Sequence, residues 1–344
     1  MRKKAYIKAI SYYLPDSTLT NDDLASQYPE WSVEKIVSKT GIIERRVAAA
    51  GETSLDMAVS VVERFIEEHD FDRNKIDFII LCTQSPEYLL PSSACILQSR
   101  TKLPINVGAF DINLGCSGYI YGLGVAKGLV ETGQAKNIMF VTSDTYSKYI
   151  HLKDKSVRTI FGDAAAATLV SAKDESDDST EYLGPFEYGT DGCGAENLIV
   201  PHGGAKHPKS ERSSIEVKDE NGNIRSSENL YMNGAEVFTF SLNRVPKLLQ
   251  SLLEVTGLEE KDIDYFVFHQ ANKFILDSIK MCTNLPENKL LRYYENIGNT
   301  VSSSIPIALY EANKSGKLFH DSMIGVIGFG AGYSWGGTMI RWHS

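Results

Sequence analysis

The chain has few cysteines, and they are not arranged as a disulfide framework or a zinc site requires. Its five cysteines are odd in number and scattered through 344 residues, with no C-x-x-C pair and no Cys/His cluster at zinc spacing. Scattered single cysteines favour free thiols in a reducing compartment. We therefore expect a cytoplasmic protein that holds no metal.

Long apolar runs and an excess of positive charge are also missing. No run can cross a bilayer, and the basic N-terminal segment regains charge at Lys8 without a cleavage site, so we interpret it as a first strand and not a signal peptide. The net charge of −9 and isoelectric point of about 5.4 argue against general nucleic-acid binding. An acidic protein partner would need a local basic patch, for which the candidates are Lys35, Lys39, Arg45, Arg46, Lys273 and Lys280.

The chain does contain a regular alternation of short apolar runs and helical patterns. At 344 residues it exceeds the usual size of one core, so we expect two domains or a duplicated unit. Residues 194–230 are polar and predict a long surface excursion. The runs typical of buried strands are 75–83, 104–111, 136–144, 264–270 and 322–330. The helical patterns are 54–68, 119–133 and 245–257.

Two similar fragments indicate that the second domain repeats the first. I-D-F-I-I-L-C (76–82) aligns with I-D-Y-F-V-F-H (263–269), and each follows a helix and a short charged turn. A chance match is the alternative. We predict one duplicated βαβ-type unit, with an N-terminal half at 1–180 and a C-terminal half at 181–344.

The spacing of two glycines supports the same duplication. Cys116 precedes Gly133 by 17 residues (133 − 116), and Asn299 precedes Gly316 by the same 17 (316 − 299). In both cases a helix lies between, and the glycine is placed to end it. Duplication would put Cys116 and Asn299 at the starts of equivalent helices, with His269 at the end of a strand in the same layer. All three would then converge between the halves.

Cys116 lies in D-I-N-L-G-C-S-G (111–118), where an apolar strand gives way to a helix rich in small residues. A thiol at a helix start lies among unpaired backbone N–H groups and near the positive end of the helix dipole. Both favour the nucleophilic thiolate, so we expect a lowered pKa for this cysteine. Taken alone, a cysteine is more often a buried structural residue.

Three features of the C-terminal half favour a catalytic role for Cys116. His269 follows an apolar run and begins H-Q-A-N, Asn299 lies in N-I-G-N-T, and G-F-G-A-G-Y-S-W-G-G (328–337) follows another strand. Taken singly, the histidine is typical of a satisfied core residue and the asparagine of a turn. The glycine-rich segment lacks a P-loop lysine and the helix of a dinucleotide site, so we interpret it as an oxyanion hole.

Together these residues resemble the thiolase-fold condensing enzymes, and most closely the beta-ketoacyl-[acyl-carrier-protein] synthase III family. The resemblance covers nearly the whole chain, and eight elements in the family's order make it specific. They are K-T-G-I-I-E-R-R (39–46), P-S-S-A (91–94), A-F-D-I-N-L-G-C-S-G (109–118), F-G-D-A-A-A-A (161–167), M-N-G-A-E-V-F (232–238), H-Q-A-N (269–272), G-N-T-V-S-S-S-I-P (298–306) and F-G-A-G-Y-S-W-G (329–336).

The resemblance implies a thiolase-like α/β fold, in which two βαβ-type halves form a five-layer αβαβα sandwich. It implies that Cys116 takes an acyl group from an acyl-CoA, with the backbone N–H groups of Cys116 and Ala331 as oxyanion hole. Malonyl-[acyl-carrier-protein] then loses CO2, His269 and Asn299 stabilise the enolate, and attack on acyl-Cys116 gives 3-oxoacyl-[acyl-carrier-protein]. This reaction initiates type II fatty acid synthesis without a metal or nicotinamide cofactor. Family members are usually homodimers with one sheet continuous across the interface.

The Cys-His-Asn set distinguishes this chain from other members of the superfamily. Degradative thiolases are expected to carry a second catalytic cysteine near the C-terminus, whereas the last cysteine here is Cys282. Acyl-transfer relatives that do not condense tend to replace the asparagine by aspartate, and this chain keeps Asn299. The set therefore indicates decarboxylative condensation.

The positions for donor and carrier recognition match the family less well. Lys35 stands where a tryptophan is expected, with Trp31 four residues earlier, and Lys155 stands for an arginine, with Arg158 nearer the F-G-D element. Ala235 replaces an asparagine. The residues that the resemblance assigns to substrate or carrier binding are Lys39, Lys155, Arg158, Ala271, Asn272, Lys273 and Leu90.

Two further departures concern the acyl group and the carrier. Leu90 stands where a phenylalanine often limits acyl length, which indicates a longer or branched acyl group, with compensation by neighbouring packing as the alternative. Phe274 stands where the family often has arginine, beside Lys273. We therefore expect intact condensing chemistry with an altered donor or carrier.

Three other functions stay open from the sequence alone. One is an enzyme of this fold acting on a non-standard acyl donor or acceptor in secondary-metabolite or surface-polymer synthesis. Another is an acyltransferase or thioester-binding scaffold that does not condense. A third is a structural subunit of a heteromeric synthase, against which the intact Cys-His-Asn set argues.

Overall fold

Strands and helices alternate along the computed structural model, which describes residues 2–175 and 181–343. Each apolar run predicted as a strand coincides with one, and the basic N-terminal segment is the first strand. The strands are β1 (Arg2–Tyr13), β2 (Thr18–Thr20), β3 (Glu44–Arg46), β4 (Phe78–Cys82), β5 (Gly108–Ile112), β6 (Asn137–Asp144), β7 (Ala164–Glu175), β8 (Leu183–Thr190), β9 (Leu198–Ile199), β10 (Val217–Lys218), β11 (Ile224–Arg225), β12 (Tyr231–Met232), β13 (Tyr265–Phe268), β14 (Met323–Gly330) and β15 (Ser334–Arg341). The helices are α1 (Asn21–Gln27), α2 (Val33–Thr40), α3 (Ser54–Glu68), α4 (Ser93–Arg100), α5 (Gly118–Glu131), α6 (Lys155–Arg158), α7 (Gly234–Thr256), α8 (Lys273–Thr283) and α9 (Ser304–Lys314).

The first sheet has the strand order β1-β7-β6-β4-β5. Strand β4 pairs in parallel with β5 and β6, whereas β7 runs antiparallel to both β6 and β1. Strands β4 and β6 are buried along almost their whole length because helices cover both faces of the sheet, which explains their continuous apolar sequences. Strand β5 forms one edge of the sheet.

The second sheet repeats this arrangement in the C-terminal half. Its order is β13-β14-β15-β8, with β13 parallel to β14 and β15 antiparallel to both β14 and β8. These pairings match β4-β6-β7-β1 strand for strand. A parallel bridge between Phe266 and Leu290 gives β13 a further neighbour, as β5 does for β4. The repeated topology supports a duplicated unit, while the predicted boundary at residue 180 lies outside the described residues and stays a prediction.

The helices form three layers around the two sheets. Helices α5 and α9 lie between the sheets, α3 covers the outer face of the first sheet, and α7 covers the outer face of the second with α8 beside it. The small residues of α5 allow this packing, because a Cβ at Gly122 would lie only 2.1 Å from the ring of Phe140. The predicted five-layer αβαβα sandwich is confirmed. Within residues 2–175 and 181–343, none of the helices is both long and apolar enough to cross a membrane.

Helix α7 starts earlier than the sequence pattern predicts. The prediction of a start at residue 245 is wrong, because the helix begins at Gly234 and keeps Pro246 in its interior. A proline ring removes one backbone N–H donor and usually ends or bends a helix. Here Phe240 and Leu249, on either side of it, are buried in one apolar cluster with residues of the second sheet, and this packing stabilises the longer helix.

The polar stretch 194–230 lies largely at the surface, as predicted, but it is not without regular structure. Within the stretch, strand β10 pairs with β11. Strand β9, also within the stretch, pairs with β12, which begins directly after it. The pairing of β9 with β12 places Leu198 and Met232 opposite each other. Both residues line the cavity described below, so the excursion contributes Leu198 to the lining of the candidate site.

Candidate active site

Cys116, His269 and Asn299 are far apart in the sequence, yet all three line one cavity between the two halves. The cavity has a volume of about 490 Å³. All three side chains are at least nine-tenths buried in the protein. The structure therefore brings the three residues together, while their catalytic roles stay a prediction.

The lining of this cavity is mainly apolar. Among the residues that the structure describes, no three His, Cys, Asp or Glu side chains are grouped as a metal site requires, and the expected independence from metals and cofactors stays a prediction. The larger apolar side chains of the lining are Ile160, Phe161, Leu198, Met232, Val237, Phe238, Phe274, Ile275 and Phe329.

Cys116 lies between β5 and α5, two residues before the first residue of that helix. The end of β14 approaches it closely: a Cβ added at Gly330 would lie 2.8 Å from the Cβ and 3.0 Å from the Sγ of Cys116. Gly328 is similarly confined, since its added Cβ would lie 2.9 Å from the Cys116 carbonyl oxygen. Glycine at these positions therefore lets the strand run directly along the candidate nucleophile.

Ala331, the second predicted oxyanion donor, is the residue directly after Gly330. Ser334 Oγ donates to the Ala331 carbonyl at 3.0 Å, and Ser117 Oγ lies 2.5 Å from Ser334 Oγ. The turn after β14 is thereby tied to the start of α5. Ala331 also borders a second cavity, of about 470 Å³. Its proposed role as a hydrogen-bond donor stays a prediction.

The Cys116 thiol is not the preformed thiolate that its place before a helix predicts. Burial raises the pKa of Cys116 to about 12, and the nearby carboxyl group of Asp144 acts in the same direction. The backbone N–H of Cys116 favours ionisation, but by less. The expectation of a lowered pKa is therefore wrong for the protein without substrate, because desolvation and the carboxyl group of Asp144 outweigh the hydrogen bond from the backbone.

His269 follows β13 and is held on both sides. Its backbone N–H donates to the carbonyl of Ile327 at 2.8 Å, and its Nδ1 lies 2.7 Å from the Oγ of Ser304, the first residue of α9. Burial lowers the pKa of the imidazole to about 3. The ring is therefore neutral at physiological pH, so it offers one N–H donor but accepts a proton poorly.

Asn299 is fixed by its backbone and by its side-chain oxygen. Its backbone N–H donates to Ile160 O at 2.9 Å, and its carbonyl accepts the N–H of Gly162 at 2.9 Å. Its Oδ1 accepts the backbone N–H of Val301 at 3.0 Å. This bond fixes the orientation of the amide, and its NH2 group, which has no hydrogen-bond partner within residues 2–175 and 181–343, is available as a donor to a molecule in the cavity.

Val301 adopts a backbone conformation that a β-branched residue rarely takes. Its φ is +54°, in the left-handed region. Such a conformation costs about 1–3 kcal/mol and persists where the surroundings fix it. Here the hydrogen bond to Asn299 and burial in one apolar cluster with Cys116 and Phe161 hold it in place. The strained conformation of Val301 therefore helps to orient the side chain of Asn299.

Three consecutive serines follow, and each is anchored at a different place. Ser302 Oγ donates to Oδ2 of Asp144 at 2.6 Å, and Ser303 Oγ lies 2.9 Å from Oγ1 of Thr142. Ser304 contacts the imidazole already described. The loop that carries the asparagine is thus fixed to the end of β6 and to the histidine at once.

Asp144 and these serines were missed by the sequence analysis. Asp144 accepts the backbone N–H of Gln84 at 2.8 Å, and burial raises the pKa of its carboxyl group to about 7. The available signals were a carboxylate ending the apolar run M-F-V-T-S-D and a serine run between Asn299 and an apolar helix. Neither signal is specific without knowing that the two segments meet.

Several residues predicted to bind substrate do reach the cavity. Lys39, Ala271 and Asn272 line it, and so does Trp31, which the sequence comparison treated as displaced. The ammonium groups of Lys35 and Lys39 lie 5.3 and 5.5 Å from the centroid of the Trp31 ring. Trp31 lies just before α2, which begins at Val33, and its ring is still close to both lysines of that helix.

Lys155 and Arg158 lie outside the lining of this cavity. The Nζ of Lys155 is 3.0 Å from Oε1 of Glu30, and Arg158 donates to the carbonyl of Leu152 at 2.8 Å. Both cations thus have partners within the chain. Their assignment to substrate or carrier binding stays a prediction.

Lys273, Leu90 and Arg45 also lie away from the lining. Lys273 forms an ion pair with Asp277 one turn along α8, and Leu90 is 82% exposed on a surface loop. Arg45 was considered for a surface basic patch, and that expectation is wrong. Its side chain is fully buried, and its Nε donates to the carbonyl of Thr159 at 2.9 Å.

Two family models match the chain. Residues 110–192 match the model for 3-oxoacyl-[acyl-carrier-protein] synthase III, and residues 253–342 match the model for the C-terminal part of the same family. The first match contains Cys116, and the second contains His269 and Asn299.

Full-length relatives and solved structures agree with these models. The beta-ketoacyl-[acyl-carrier-protein] synthase III of Caldanaerobacter subterraneus is 35% identical over 96% of this chain and 95% of the relative. That of Chlamydia caviae is 35% identical over 98% of this chain and 97% of the relative. A crystal structure of a 3-oxoacyl-(acyl-carrier-protein) synthase III is 49% identical, with a TM-score of 0.96 over 98% of this chain and 100% of that chain.

Proposed function

The chain belongs to the 3-oxoacyl-[acyl-carrier-protein] synthase III family, and we propose that it condenses an acyl-CoA with malonyl-[acyl-carrier-protein]. The products are 3-oxoacyl-[acyl-carrier-protein], CoA and CO2, and the reaction begins type II fatty acid synthesis. One observation carries the proposal: Cys116, His269 and Asn299 line one largely apolar cavity. A nucleophilic sulfur there shares a water-poor space with two neutral hydrogen-bond donors.

The first half-reaction transfers the acyl group to Cys116. The sulfur attacks the thioester carbon, and the backbone N–H groups of Cys116 and Ala331 stabilise the resulting oxyanion. The bond to the CoA sulfur then breaks, and the proton lost by the Cys116 thiol ends on that sulfur. Because the pKa of the thiol is raised to about 12, loading draws on a small thiolate fraction.

The second half-reaction begins when the malonyl thioester enters the cavity. The bond between its carboxylate carbon and its α carbon breaks, CO2 leaves, and the electron pair forms an enolate. His269 and Asn299 donate hydrogen bonds to the thioester oxygen that carries the charge. The α carbon then attacks the carbonyl of acyl-Cys116, and Cys116 leaves as the thiolate, which is reprotonated.

The low pKa of His269 suits this role. Burial lowers it to about 3, so the ring does not become a cation that would pair with a thiolate. A general base is not required, because decarboxylation itself supplies the carbanion. The histidine therefore acts as a donor to the thioester oxygen of the enolate.

We infer that donor and carrier reach the cavity past Trp31. The ring with Lys35 and Lys39 beside it combines an aromatic face with positive charge, which fits the base and phosphates of CoA or the phosphate of a carrier's pantetheine arm. Phe238 and Phe274 stack with their centroids 4.9 Å apart in the same lining. They offer apolar surface to the arm itself.

We also infer a homodimer built on β5. This strand is an unpaired edge of the first sheet among the described residues, and a paired edge would continue the sheet across an interface. Close to it in the sequence, Tyr88, Leu89 and Leu90 are 58%, 92% and 82% exposed, an apolar tip that favours burial against a partner. Light scattering should give the mass of a dimer, and a monomer at working concentration would contradict the inference.

We further propose that the reaction needs no cofactor and takes place in the cytoplasm. Every bond made or broken above is accounted for by two thioesters and the residues of this chain. All five cysteines are free, which is the state that a reducing compartment maintains.

Mass spectrometry of both half-reactions tests the proposed function. Incubation with a short acyl-CoA should add the acyl mass to the peptide that contains Cys116. Addition of malonyl-[acyl-carrier-protein] should then release CO2 and form the 3-oxoacyl product. Cys116→Ala should give neither acyl-enzyme nor product, whereas the exposed control Cys95→Ala should give both. An acylated enzyme that leaves the malonyl group intact would show a different function.

A further inference from the structure

We propose that Ser304 is a positioning residue that fixes the tautomer of His269, with the ring proton held at Nε2. The inference rests on the proposed function, because it explains how the imidazole becomes a donor to the enolate. It starts from one contact, the 2.7 Å distance between Ser304 Oγ and His269 Nδ1. The direction of this hydrogen bond follows from the other contacts of the Ser304 hydroxyl group.

The second contact of Ser304 Oγ is with the backbone of Gln270. That backbone N–H donates to Oγ at 3.3 Å. An amide N–H can only donate, so the serine oxygen is the acceptor in this bond. The hydroxyl group still has its own proton to place, and within residues 2–175 and 181–343 the imidazole nitrogen is the partner found for it.

Two arrangements of the protons are conceivable, and they differ in what they leave unpaired. If the hydroxyl donates to Nδ1, every group at this point is satisfied. If Nδ1–H donates to Oγ instead, the serine oxygen accepts two N–H groups and its own proton has no acceptor. Ser304 is 1% exposed, and a buried unpaired donor is unfavourable. The stable arrangement therefore has Nδ1 of His269 as acceptor and the ring proton on Nε2.

The backbone N–H of Gln270 is firmly aimed at Ser304. The side chain of Gln270 is fully buried, and its Oε1 accepts the N–H of Tyr293 at 2.8 Å. Its Nε2 donates to the carbonyls of Phe268 at 2.6 Å and Leu291 at 3.2 Å. With its side chain fixed at three points, this residue is held in place beside the serine. The orientation of the hydroxyl group is consequently set by the fold.

The place of Ser304 in α9 acts in the same direction. It is the first residue of an 11-residue helix, where the backbone carries partial positive charge. A protonated imidazolium beside this charge is disfavoured, as it is by burial. His269 therefore stays neutral, with a single proton on the nitrogen opposite the serine.

The same loop also hydrogen-bonds an acceptor atom of Asn299. The Val301 N–H occupies the acceptor oxygen of Asn299, and the Ser304 hydroxyl occupies the acceptor nitrogen of His269. Each side chain then has a donor available for substrate, the NH2 group of Asn299 and the Nε2–H of His269. One short segment thus prepares both groups for a single substrate oxygen that gains negative charge.

Nitrogen-15 NMR of protein labelled in its seven histidines reads the tautomer directly. The His269 signals, assigned by their loss in His269→Asn, should show an unprotonated Nδ1 and a protonated Nε2 across neutral pH. A protonated Nδ1 in the wild-type protein would overturn the proposal. The measurement needs no substrate, so failure of the proposed function, seen as absence of CO2 release by the wild type, is a separate result.

Two substitutions add a functional readout. Ser304→Ala removes the hydroxyl, so we expect mixed tautomers and a fall of about tenfold or more in CO2 release from malonyl-[acyl-carrier-protein], with acylation of Cys116 unchanged. Ser304→Thr keeps the hydroxyl and should restore both the spectrum and the rate. Wild-type CO2 release by Ser304→Ala would also overturn the proposal. If Ser304→Ala does not fold, the nitrogen-15 spectra of the wild type and of Ser304→Thr still test the tautomer of His269.

Discussion

Ser302 Oγ donates a 2.6 Å hydrogen bond to Oδ2 of Asp144, and this contact joins the two halves of the protein beside the candidate active site. Asp144 ends β6 in the first sheet, whereas Ser302 belongs to the loop that carries Asn299. The carboxyl group is buried, its pKa is raised to about 7, and it acts on the pKa of Cys116. A residue outside the predicted catalytic set therefore influences both the position of the Asn299 amide and the pKa of the Cys116 thiol.

Asp144→Asn should make the stability of the protein less sensitive to pH. The folded-state pKa of about 7 lies above the value of about 3.9 for an unfolded chain, so the folded protein binds this proton more tightly. The resulting stabilisation is fully present below about pH 4 and is lost as pH rises through about 7. The wild-type protein should lose Tm over this range while Asp144→Asn does not. The Tm difference, variant minus wild type, should therefore increase by at least about 2 °C from about pH 5 to about pH 8.

Thermal unfolding at the two pH values measures this difference. The exposed control Asp16→Asn should follow the wild-type curve. Parallel pH curves for Asp144→Asn and wild type would show that Asp144 does not titrate as the structure indicates.

Cys116 should react slowly with alkylating agents in the free enzyme. Because only the thiolate reacts and its pKa is raised to about 12, the rate should increase about tenfold per pH unit from neutral pH to about pH 9. Peptide mass spectrometry after iodoacetamide treatment measures it, with the exposed Cys95 as reference in the same sample. Asp144→Asn should raise the rate. A plateau below about pH 8 would mean that the thiol is already ionised.

Gly330→Ala should stop loading of the acyl group without unfolding the protein. The added Cβ would lie 2.8 Å from the Cβ and 3.0 Å from the Sγ of Cys116, so the sulfur must shift. We expect at least about a hundredfold slower acylation, since displacements of about 1 Å have effects of this size.

A matched glycine provides the control for this substitution. Gly128 lies in α5, and a Cβ there would meet no atom within 4 Å. Gly128→Ala should load normally and gain up to about 1 kcal/mol in stability. Normal loading by Gly330→Ala would show that the close approach of β14 is unnecessary.

Local and repeated patterns allowed much of the fold to be predicted. The helix expected at 54–68 has the bounds of α3, because Thr53 and Asp56 form a capping box that defines its start. Cys116 and Asn299 were expected to meet because equivalent parts of a repeated topology converge. That expectation needed the order of the elements and no side-chain contact.

Properties that depend on distant residues could not be predicted in this way. The pKa of Cys116 is raised by burial and by Asp144, which comes from another strand. Arg45 is buried by the packing of segments that are remote in the sequence. Trp31 was judged by its number in the sequence, whereas the fold of the segment before α2 brings its ring to the cavity.

Trp31→Ala should weaken the binding of acyl-CoA more than it slows the chemistry. The ring lines the cavity and carries two lysines on its face, so its loss should raise KM about tenfold with little change in kcat. Trp31→Phe keeps an aromatic face, so its KM should lie between the values for the wild type and Trp31→Ala. Steady-state kinetics with acyl-CoA measures both constants. A lower kcat at unchanged KM would place the ring in the chemical step instead.

The division of labour between Cys116 and Asn299 is tested most directly by CO2 release from malonyl-[acyl-carrier-protein] in Asn299→Ala enzyme that has first been loaded with an acyl group. We predict that Cys116 acylates at the wild-type rate, while CO2 release falls about 100- to 1,000-fold, as for the loss of one oxyanion donor. Equal loss of loading and CO2 release, or CO2 release at the wild-type rate, would contradict the assignment.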